Sequence, residues 1–356
     1  MLSSFLKIQC ETVQTKQMNN KNIIWLYGVT FLILVAGSAL AATKDDVVKR
    51  DYLQCGVSTG VTGFSTVDEK GNWSGLDVDI CRAVAAATLG DATKVKYLPL
   101  AENECFTALL SGEVDILSRN STWTFSRDSA LAVNFPGVSY FDGQGLLVAE
   151  KIGVKRITDL KKVEICNQVG SAMEDNLIDY FTRNEIEYKN VPFDTLDLAV
   201  KGFTEEKCDV ITLQQSMLYG VRLGLEKPDS AVVLPEVISK EPLGPVVRQG
   251  DDNWFNIVRW TLFAMLNAEE LGVGSANIEM MKVSNTLAVK RLLGQEGTGG
   301  KGLGLKDDWA FQIIKQVGNY GDVFDRNLGP KSLLGVDRGL NRLWSQGGVQ
   351  YAPPLR

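Results

Sequence analysis

Asp115-Ile-Leu-Ser118-Arg119-Asn120-Ser121-Thr122-Trp123-Thr124-Phe125-Ser126-Arg127-Asp128 changes character at its fourth residue. Val114 to Leu117 is an apolar run after the Gly112 break and reads as a buried strand. From Ser118 the chain becomes a polar loop of hydroxyls, an amide and two guanidiniums around Trp123. A strand feeding such a loop marks the carboxyl edge of an open α/β sheet, where small ligands bind. Arg127 can hold a carboxylate through two parallel hydrogen bonds, which a lysine does less well. The competing reading, a solvated loop with a surface arginine, has to be weighed against the segments around it.

Upstream, Tyr52 to Val57 reads as a strand and Ser58 to Ser65 as a Gly/Thr/Ser loop around Phe64. Leu76 to Leu89 is a helix stopped by Gly90, Val95 to Leu98 a strand, and Asn103 to Ser111 a helix stopped by Gly112. This alternation predicts parallel βαβ units, with all strand carboxyl ends on one edge. The Ser58–Ser65 and Ser118–Arg127 loops are therefore expected on one rim.

Downstream of Tyr140-Phe-Asp-Gly-Gln-Gly145 the alternation restarts. Strands are expected at Val163–Cys166, Tyr188–Val191, Asp209–Leu213 and Ala231–Leu234. Helices are expected at Met173–Phe181, Leu196–Phe203 and Ser216–Leu223, the first after a tight turn at Gly170-Ser171-Ala172. Pro235 to Arg248 is extended and suits a return crossing. Asp251-Asp252 opens a helix with Trp254, Ile257, Val258, Thr261, Leu262 and Met265 on one face. Asp307-Asp308 opens another, Trp309 to Val317, ended by Gly318. The run Gly294 to Gly302 superficially suggests a phosphate loop. No Ser or Thr follows Lys301 and no apolar strand precedes the run, so it reads as a flexible loop.

Two α/β units joined by two crossings predict a hinge-closing, two-lobed α/β protein with the ligand in the cleft. The expected division is 42–141 for the first part of lobe 1, 142–240 for lobe 2, and 241–356 for the rest of lobe 1 with C-terminal helices.

At 356 residues, with 45% apolar and 22% charged residues, the chain has the composition of a globular protein of two domains. A net charge of −6 without a basic run speaks against a nucleic-acid partner. The sequence contains no histidine, which removes Ser-His-Asp and Cys-His catalysis and the commonest zinc ligand. Lys21 precedes an uncharged run from Ile23 to Ala42 that closes with Ala39-Leu40-Ala41, the pattern of a cleaved export signal. Residues 1–41 are thus expected to be a leader, with Met18 the more natural start. A membrane anchor is the alternative for such a run. Export permits disulfides, and the mature part keeps Cys55, Cys81, Cys105, Cys166 and Cys208, an odd number. Cys166 and Cys208 flank strands of the same segment and are the expected pair. No Cys-x-x-Cys spacing supports a metal site.

An ordered set of motifs adds a resemblance. It comprises Cys55-Gly-Val-Ser-Thr-Gly60, Gly71-Asn-Trp-Ser-Gly-Leu-Asp77-Val-Asp79, Ser111-Gly-Glu-Val-Asp115, Ser118-Arg-Asn-Ser-Thr-Trp-Thr124 and Ser126-Arg-Asp128. It continues with Tyr140-Phe-Asp-Gly-Gln-Gly145, Trp260-Thr-Leu-Phe-Ala264, Asn267-Ala-Glu-Glu-Leu-Gly272 and Gln350-Tyr-Ala-Pro-Pro354. Together they resemble the periplasmic solute-binding proteins of ABC importers for polar amino acids, in the general L-amino-acid-binding branch, across residues 50–356.

The resemblance implies a type II periplasmic binding protein fold with a two-strand hinge and a C-terminal helical extension. It implies a monomer without cofactor or catalytic residues, which delivers L-amino acids to membrane permease subunits. By matching positions, Arg127 and Thr122 would hold the ligand carboxylate, with backbone N–H groups of Ser171 and Ala172 beside Gly170. Asn120 and the position of Gln214 would face the amino end, and Phe64, Trp123 and Ser58 would wall the pocket. Asp115 matches a structural aspartate.

Two departures lie in the second lobe. Gln214 stands where the family has an acid for the ammonium, and Ser171-Ala172-Met173 replaces a run of threonines. The site's expected ligand is therefore an L-amino acid or, alternatively, a carboxylate without a free amine. An enzyme on this fold would need a general acid or base from Asp142, Glu174 or Asp175, each more simply a hinge or helix-start residue. A sensory role without transport remains a third reading.

Overall fold

The computed structural model describes residues 42–297 and 299–356. The expected export signal and the start at Met18 lie outside them. The chain enters its first sheet at β1 (Leu53–Val57), crosses through α1 (Leu76–Leu89) to β2 (Val95–Pro99), and returns through α2 (Cys105–Ser111) to β3 (Ile116–Leu117). The sheet order is β2-β1-β3, all parallel, with Cys55 beside both Tyr97 and Ile116. The loops after β1, β2 and β3 thus leave from one edge, as the alternation predicts.

β3 is shorter than the Val114–Leu117 run. Asp115 instead turns its carboxylate to the Gln54 N–H (2.8 Å) and to the Arg50 guanidinium. That is a structural role.

Beyond α3 (Phe125–Ala130), β4 (Tyr140–Asp142) carries the chain out of the first lobe. The second lobe follows as β5 (Gln144–Ala149), β6 (Val163–Gln168), α4 (Ala172–Arg183), β7 (Tyr188–Phe193), α5 (Leu196–Thr204), β8 (Val210–Gln214), α6 (Gln215–Gly224) and β9 (Ala231–Val233). Its sheet runs β7-β6-β8-β5-β9. Here the all-parallel expectation needs correction, because β5 is antiparallel to both β8 and β9. The hinge delivers the chain at the cleft edge, so the first strand has to run away from that edge while the others run toward it. Leu146 and Val148 of β5 join one apolar core and Leu147 the other, the period-2 alternation of a strand covered on both faces.

The return crossing is β10 (Glu241–Leu243), which pairs antiparallel with β4 so that Glu241 faces Asp142 and Leu243 faces Tyr140. This two-strand ribbon is the hinge. After it, α7 (Asp252–Glu270) begins under the Asp251 carboxylate, which accepts the Trp254 N–H at 2.9 Å. Trp254 is buried and its indole N–H reaches the Asp115 carbonyl at 2.9 Å. One core therefore joins β1 and α1 to α7, α8 (Trp309–Gln316) and α9 (Tyr320–Asn327).

The C-terminal extension also grips the outgoing crossing. Tyr320 donates to the Ser139 carbonyl at 2.8 Å, and the Asn341 amide takes both backbone groups of Phe141.

Two smaller expectations shift. Asp308 stands at the start of α8, but its carboxylate accepts the Gln312 amide (2.7 Å) rather than a backbone N–H. Within the Gly294–Gly302 run, Gly299–Leu303 forms a helical turn where a flexible loop was expected. Among the described residues two disulfides form, Cys55–Cys81 between β1 and α1 and the expected Cys166–Cys208, and the buried Cys105 is in neither. Among the described residues no helix is long and apolar enough to cross a membrane.

Candidate functional site

The loop that leaves β3 is held from below by a buried acid. Asp77, in the first turn of α1, accepts the Ser118 hydroxyl (3.0 Å) and the Asn120 N–H (3.0 Å). Burial pushes its carboxyl up to about 7, against the lowering effect of those two donors and of Arg119. Asn120 turns through φ +58°, a left-handed geometry that asparagine tolerates better than most residues. The far side of the loop is tied to the hinge. The Trp123 N–H donates to the Pro242 carbonyl (2.8 Å) and the Gly244 N–H to the Ser121 carbonyl (3.1 Å).

Thr124 then caps α3 through the Arg127 N–H, which fixes where the Arg127 side chain starts. The guanidinium of Arg127 donates from Nη1 to the Thr122 carbonyl (3.1 Å) and from Nη2 to Glu102 (2.8 Å), 5.5 Å from the centre of the Phe106 ring. Arg127 and Thr122 are thus brought together. Thr122 meets Arg127 through its carbonyl oxygen.

This loop also concentrates buried polar atoms that find no partner among the described residues. They are Nε of Arg119, both amide atoms of Asn120 and the Ser121 hydroxyl. Buried polar groups are ordinarily paired, and each one left unpaired costs about 1–3 kcal/mol. Four such atoms on consecutive residues are what a site built for a polar ligand presents.

The expected pocket walls divide. Trp123 is 38% exposed and stacks on Phe135 with centroids 5.7 Å apart, so one face is committed to packing while the residue still reaches the surface. Phe64 is 1% exposed, edge-on to Tyr140 at 5.2 Å; its ring lies in the lobe core, contrary to the expectation of a wall. Its loop folds back so that Phe64 accepts the α1 N-terminal amides with its carbonyl, and this drives the ring inward. Ser58 is buried and its hydroxyl is paired with that of Ser65, so it too faces the lobe.

In the second lobe, β6 and β8 run parallel, so Gly170-Ser171-Ala172 and Gln214 leave from one edge. Ser171 caps α4 by accepting the Glu174 N–H with its hydroxyl, which in turn donates to the Gln168 carbonyl at 2.7 Å. The Glu174 carboxylate reaches back to the Gly170 N–H at 2.7 Å and also accepts from Asn190. The Gly170 N–H, followed by the Asn190 amide, holds that carboxyl below its usual range. One backbone donor of the turn is thereby engaged by the helix's own acid.

Gln144, fully buried at the start of β5, was not singled out from the sequence. Its amide donates to the Met173 carbonyl (2.8 Å) and the Thr212 hydroxyl (2.9 Å), and it accepts from Asn176. It locks the α4 start onto β8. Gln214 pairs with Gln144 through the β8–β5 ladder, and its own side-chain amide makes no hydrogen bond among the described residues.

Asp142 at the hinge is buried, and its carboxylate takes the Ser216 hydroxyl and the Gly143 N–H (2.9 Å). Burial pushes it up to about 6. Asp142 and Glu174 are accounted for by these structural bonds. No hydrogen bond among the described residues joins the first-lobe candidates to the second-lobe ones.

Sequence reasoning missed Asp77 and Gln144 for a common reason. An acid in the first turn of a helix is already explained by the helix dipole, and a glutamine beside a glycine reads as loop. Only burial reveals the bracing. A separate cavity of about 490 Å³ lies in the helical extension, between Trp260, Trp309 and Arg291. It contains none of the candidate residues and is lined by no unpaired buried polar side chain.

Residues 53–273 match the family model described as bacterial extracellular solute-binding proteins, family 3. The general L-amino acid-binding periplasmic protein AapJ of Rhizobium johnstonii is 51% identical over 341 residues, 95% of this chain and 100% of that one. YhdW of Escherichia coli K12, a putative amino-acid ABC transporter-binding protein, is 52% identical over 342 residues, with the same coverage of both chains. The solved structure of a periplasmic binding protein of an ABC transporter from Brucella ovis, with glutathione bound, has a TM-score of 0.80. It is 51% identical and covers 89% of this chain and 100% of that one. With this match, and with two lobes hinged at a strand pair, the chain belongs to the bacterial extracellular solute-binding proteins, family 3.

Proposed function

We propose that this protein is the solute-binding component of an ABC importer, which takes an L-α-amino acid in the cleft between its lobes. The observation that carries the reading is Arg127, anchored on the Thr122 carbonyl beside a loop of unpaired buried polar atoms. A guanidinium so placed recognises a carboxylate, and the Asn120 amide and Ser121 hydroxyl are suited to the remaining polar end of the ligand. From the second lobe, the N–H groups of Ser171 and Ala172 at the start of α4 offer the positive end of a helix dipole. The relatives named for amino-acid binding support the same class of ligand.

The lobes of this reading are 42–141 with 241–356, and 142–240, divided at the β4–β10 ribbon. Ligand bridging the two would stabilise a closed form that permease subunits recognise. Two disulfides suit an oxidising compartment, here the periplasm, reached through cleavage near Ala41. The protein acts as a monomer without cofactor, and it binds its ligand unchanged. Of the acids that an enzyme on this fold would draw on, Asp142 and Glu174 are committed to Ser216, Gly143, Gly170 and Asn190.

A second reading is favoured by one observation. Gln214 brings a neutral amide where an ammonium would want an acid, so a carboxylate lacking a free amine is the alternative ligand. Calorimetric titration of the mature protein with the twenty L-amino acids and a set of organic acids tests both. Submicromolar binding of L-amino acids supports the first; binding confined to acids without an amine selects the second.

A further inference from the structure

Glu102 lies in the loop between β2 and α2, two strands away from β3 in sheet order, on the rim that Arg127 also occupies. Its neighbour Glu104 is committed to the Ala101 N–H (2.8 Å), an ordinary helix-start bond. Glu102 does no such work. Its carboxylate has one partner among the described residues, Nη2 of Arg127 at 2.8 Å. The two ends of this pair are unequally wetted, with 25% of the Arg127 side chain exposed against 70% of Glu102.

An ion pair with one end so exposed contributes little stability, since water competes for the acid and salt screens it. A structural brace would be poorly served by such a bond. A displaceable partner would be well served by it. With Nη1 on the Thr122 carbonyl and Nη2 on Glu102, both terminal nitrogens of Arg127 are engaged. An incoming carboxylate that docks two-pronged on that edge meets Nη2 where Glu102 already draws on it, so the two acids compete for one nitrogen.

Resting on the carboxylate-binding role of Arg127 proposed above, we infer that Glu102 is a specificity-determining residue: a weak internal competitor that keeps Arg127 oriented and partly neutralised until a ligand carboxylate displaces it. The displaced acid stays on the same rim with its charge. It therefore disfavours ligands that carry a second carboxylate relative to neutral ones of the same shape. L-Glutamine and L-glutamate are such a pair of probes.

The test is calorimetry of the full mature chain with L-glutamine and L-glutamate, at low and at high salt, on wild type, Glu102→Gln and Arg127→Ala. Glu102→Gln is expected to bind L-glutamine about two- to fivefold more tightly at low salt. The gain for L-glutamate is larger, so the glutamate-to-glutamine affinity ratio rises, and both gains shrink at high salt. The thermal midpoint of Glu102→Gln stays at the wild-type value. Unchanged or weaker binding in Glu102→Gln, with Arg127→Ala strongly impaired, overturns the competitor role and leaves the Arg127 reading standing. Equal gains for both ligands overturn the specificity part. Wild-type affinity in Arg127→Ala overturns the Arg127 reading and this inference with it, whereas no binding of either probe to the wild type overturns this inference alone.

Discussion

The two rims of the proposed site differ in chemistry. In the first lobe a charged fork, Arg127, stands on a loop braced by the buried acid Asp77 and tied to the return strand of the hinge. In the second lobe a helix start presents backbone N–H groups, one of them engaged by Glu174, and a neutral amide at Gln214. Its brace is the neutral Gln144. A charged anchor demands desolvated, exact support, and its loss leaves a ligand charge unpaired. Neutral donors are individually weaker and more easily exchanged. Substitutions in the first rim should therefore weigh more than those in the second.

The largest effect is expected for Arg127→Ala, which removes the fork and should weaken the best-binding L-amino acid by about 2–4 kcal/mol in calorimetry. A loss below threefold would move the carboxylate site elsewhere and erase the asymmetry. Next is Asp77→Ala, which strands the Ser118 hydroxyl and the Asn120 N–H and should lower unfolding free energy by about 1–3 kcal/mol in a urea titration.

The milder Asp77→Asn sharpens the same point through pH. The Asp77 carboxyl, at about 7 against a reference of 3.8, keeps its proton in the folded chain over a window where the unfolded chain has lost it. The folded state then binds more protons, so this group's contribution to stability falls as pH rises from about 4 to about 7, and levels above that. Asp142, at about 6, acts with the same sign over a narrower window. Asp77→Asn should flatten most of the slope between about pH 5 and about pH 7, and an unchanged slope would assign it to other groups.

Across the cleft, Gln214→Asp should tighten L-amino acids with a free ammonium by about tenfold, an acid replacing an amide as acceptor. Unchanged affinity would take position 214 out of the site. Smallest is Ala172→Thr, where an added hydroxyl beside the backbone donors should change affinity by less than about 1 kcal/mol. A larger change would make the second rim as demanding as the first.

The helices and strands read from periodicity agree closely with those of the structure, because apolar spacing and glycine stops are local signals. Leu76–Leu89 stopped by Gly90, and the Gly112 break before β3, are of this kind. The reversed strand β5 was missed. Its run Gln-Gly-Leu-Leu-Val-Ala is apolar enough for a strand, but direction depends on where the hinge delivers the chain. The candidate site divides in the same way. Arg127 and its loop are conspicuous as a polar run after an apolar strand. Phe64 and Ser58 looked equally suited to a wall, and only packing turned them inward, toward Tyr140 and Ser65.

The sequence by itself determined the alternation of elements, the absence of histidine chemistry and the arginine proposed to hold a carboxylate. Each depends on residue type or on neighbours a few positions away. The tertiary structure alone decided which acids are buried braces and which stands exposed beside Arg127. Asp77, Asp142, Glu102 and Glu174 look alike as letters. Burial, and partners 25 to 74 residues distant for Glu102, Asp77 and Asp142, separate them into two buried braces, a helix cap and an exposed partner of Arg127. A carboxylate's role follows from its solvent and its donors, and neither is written next to it in the chain.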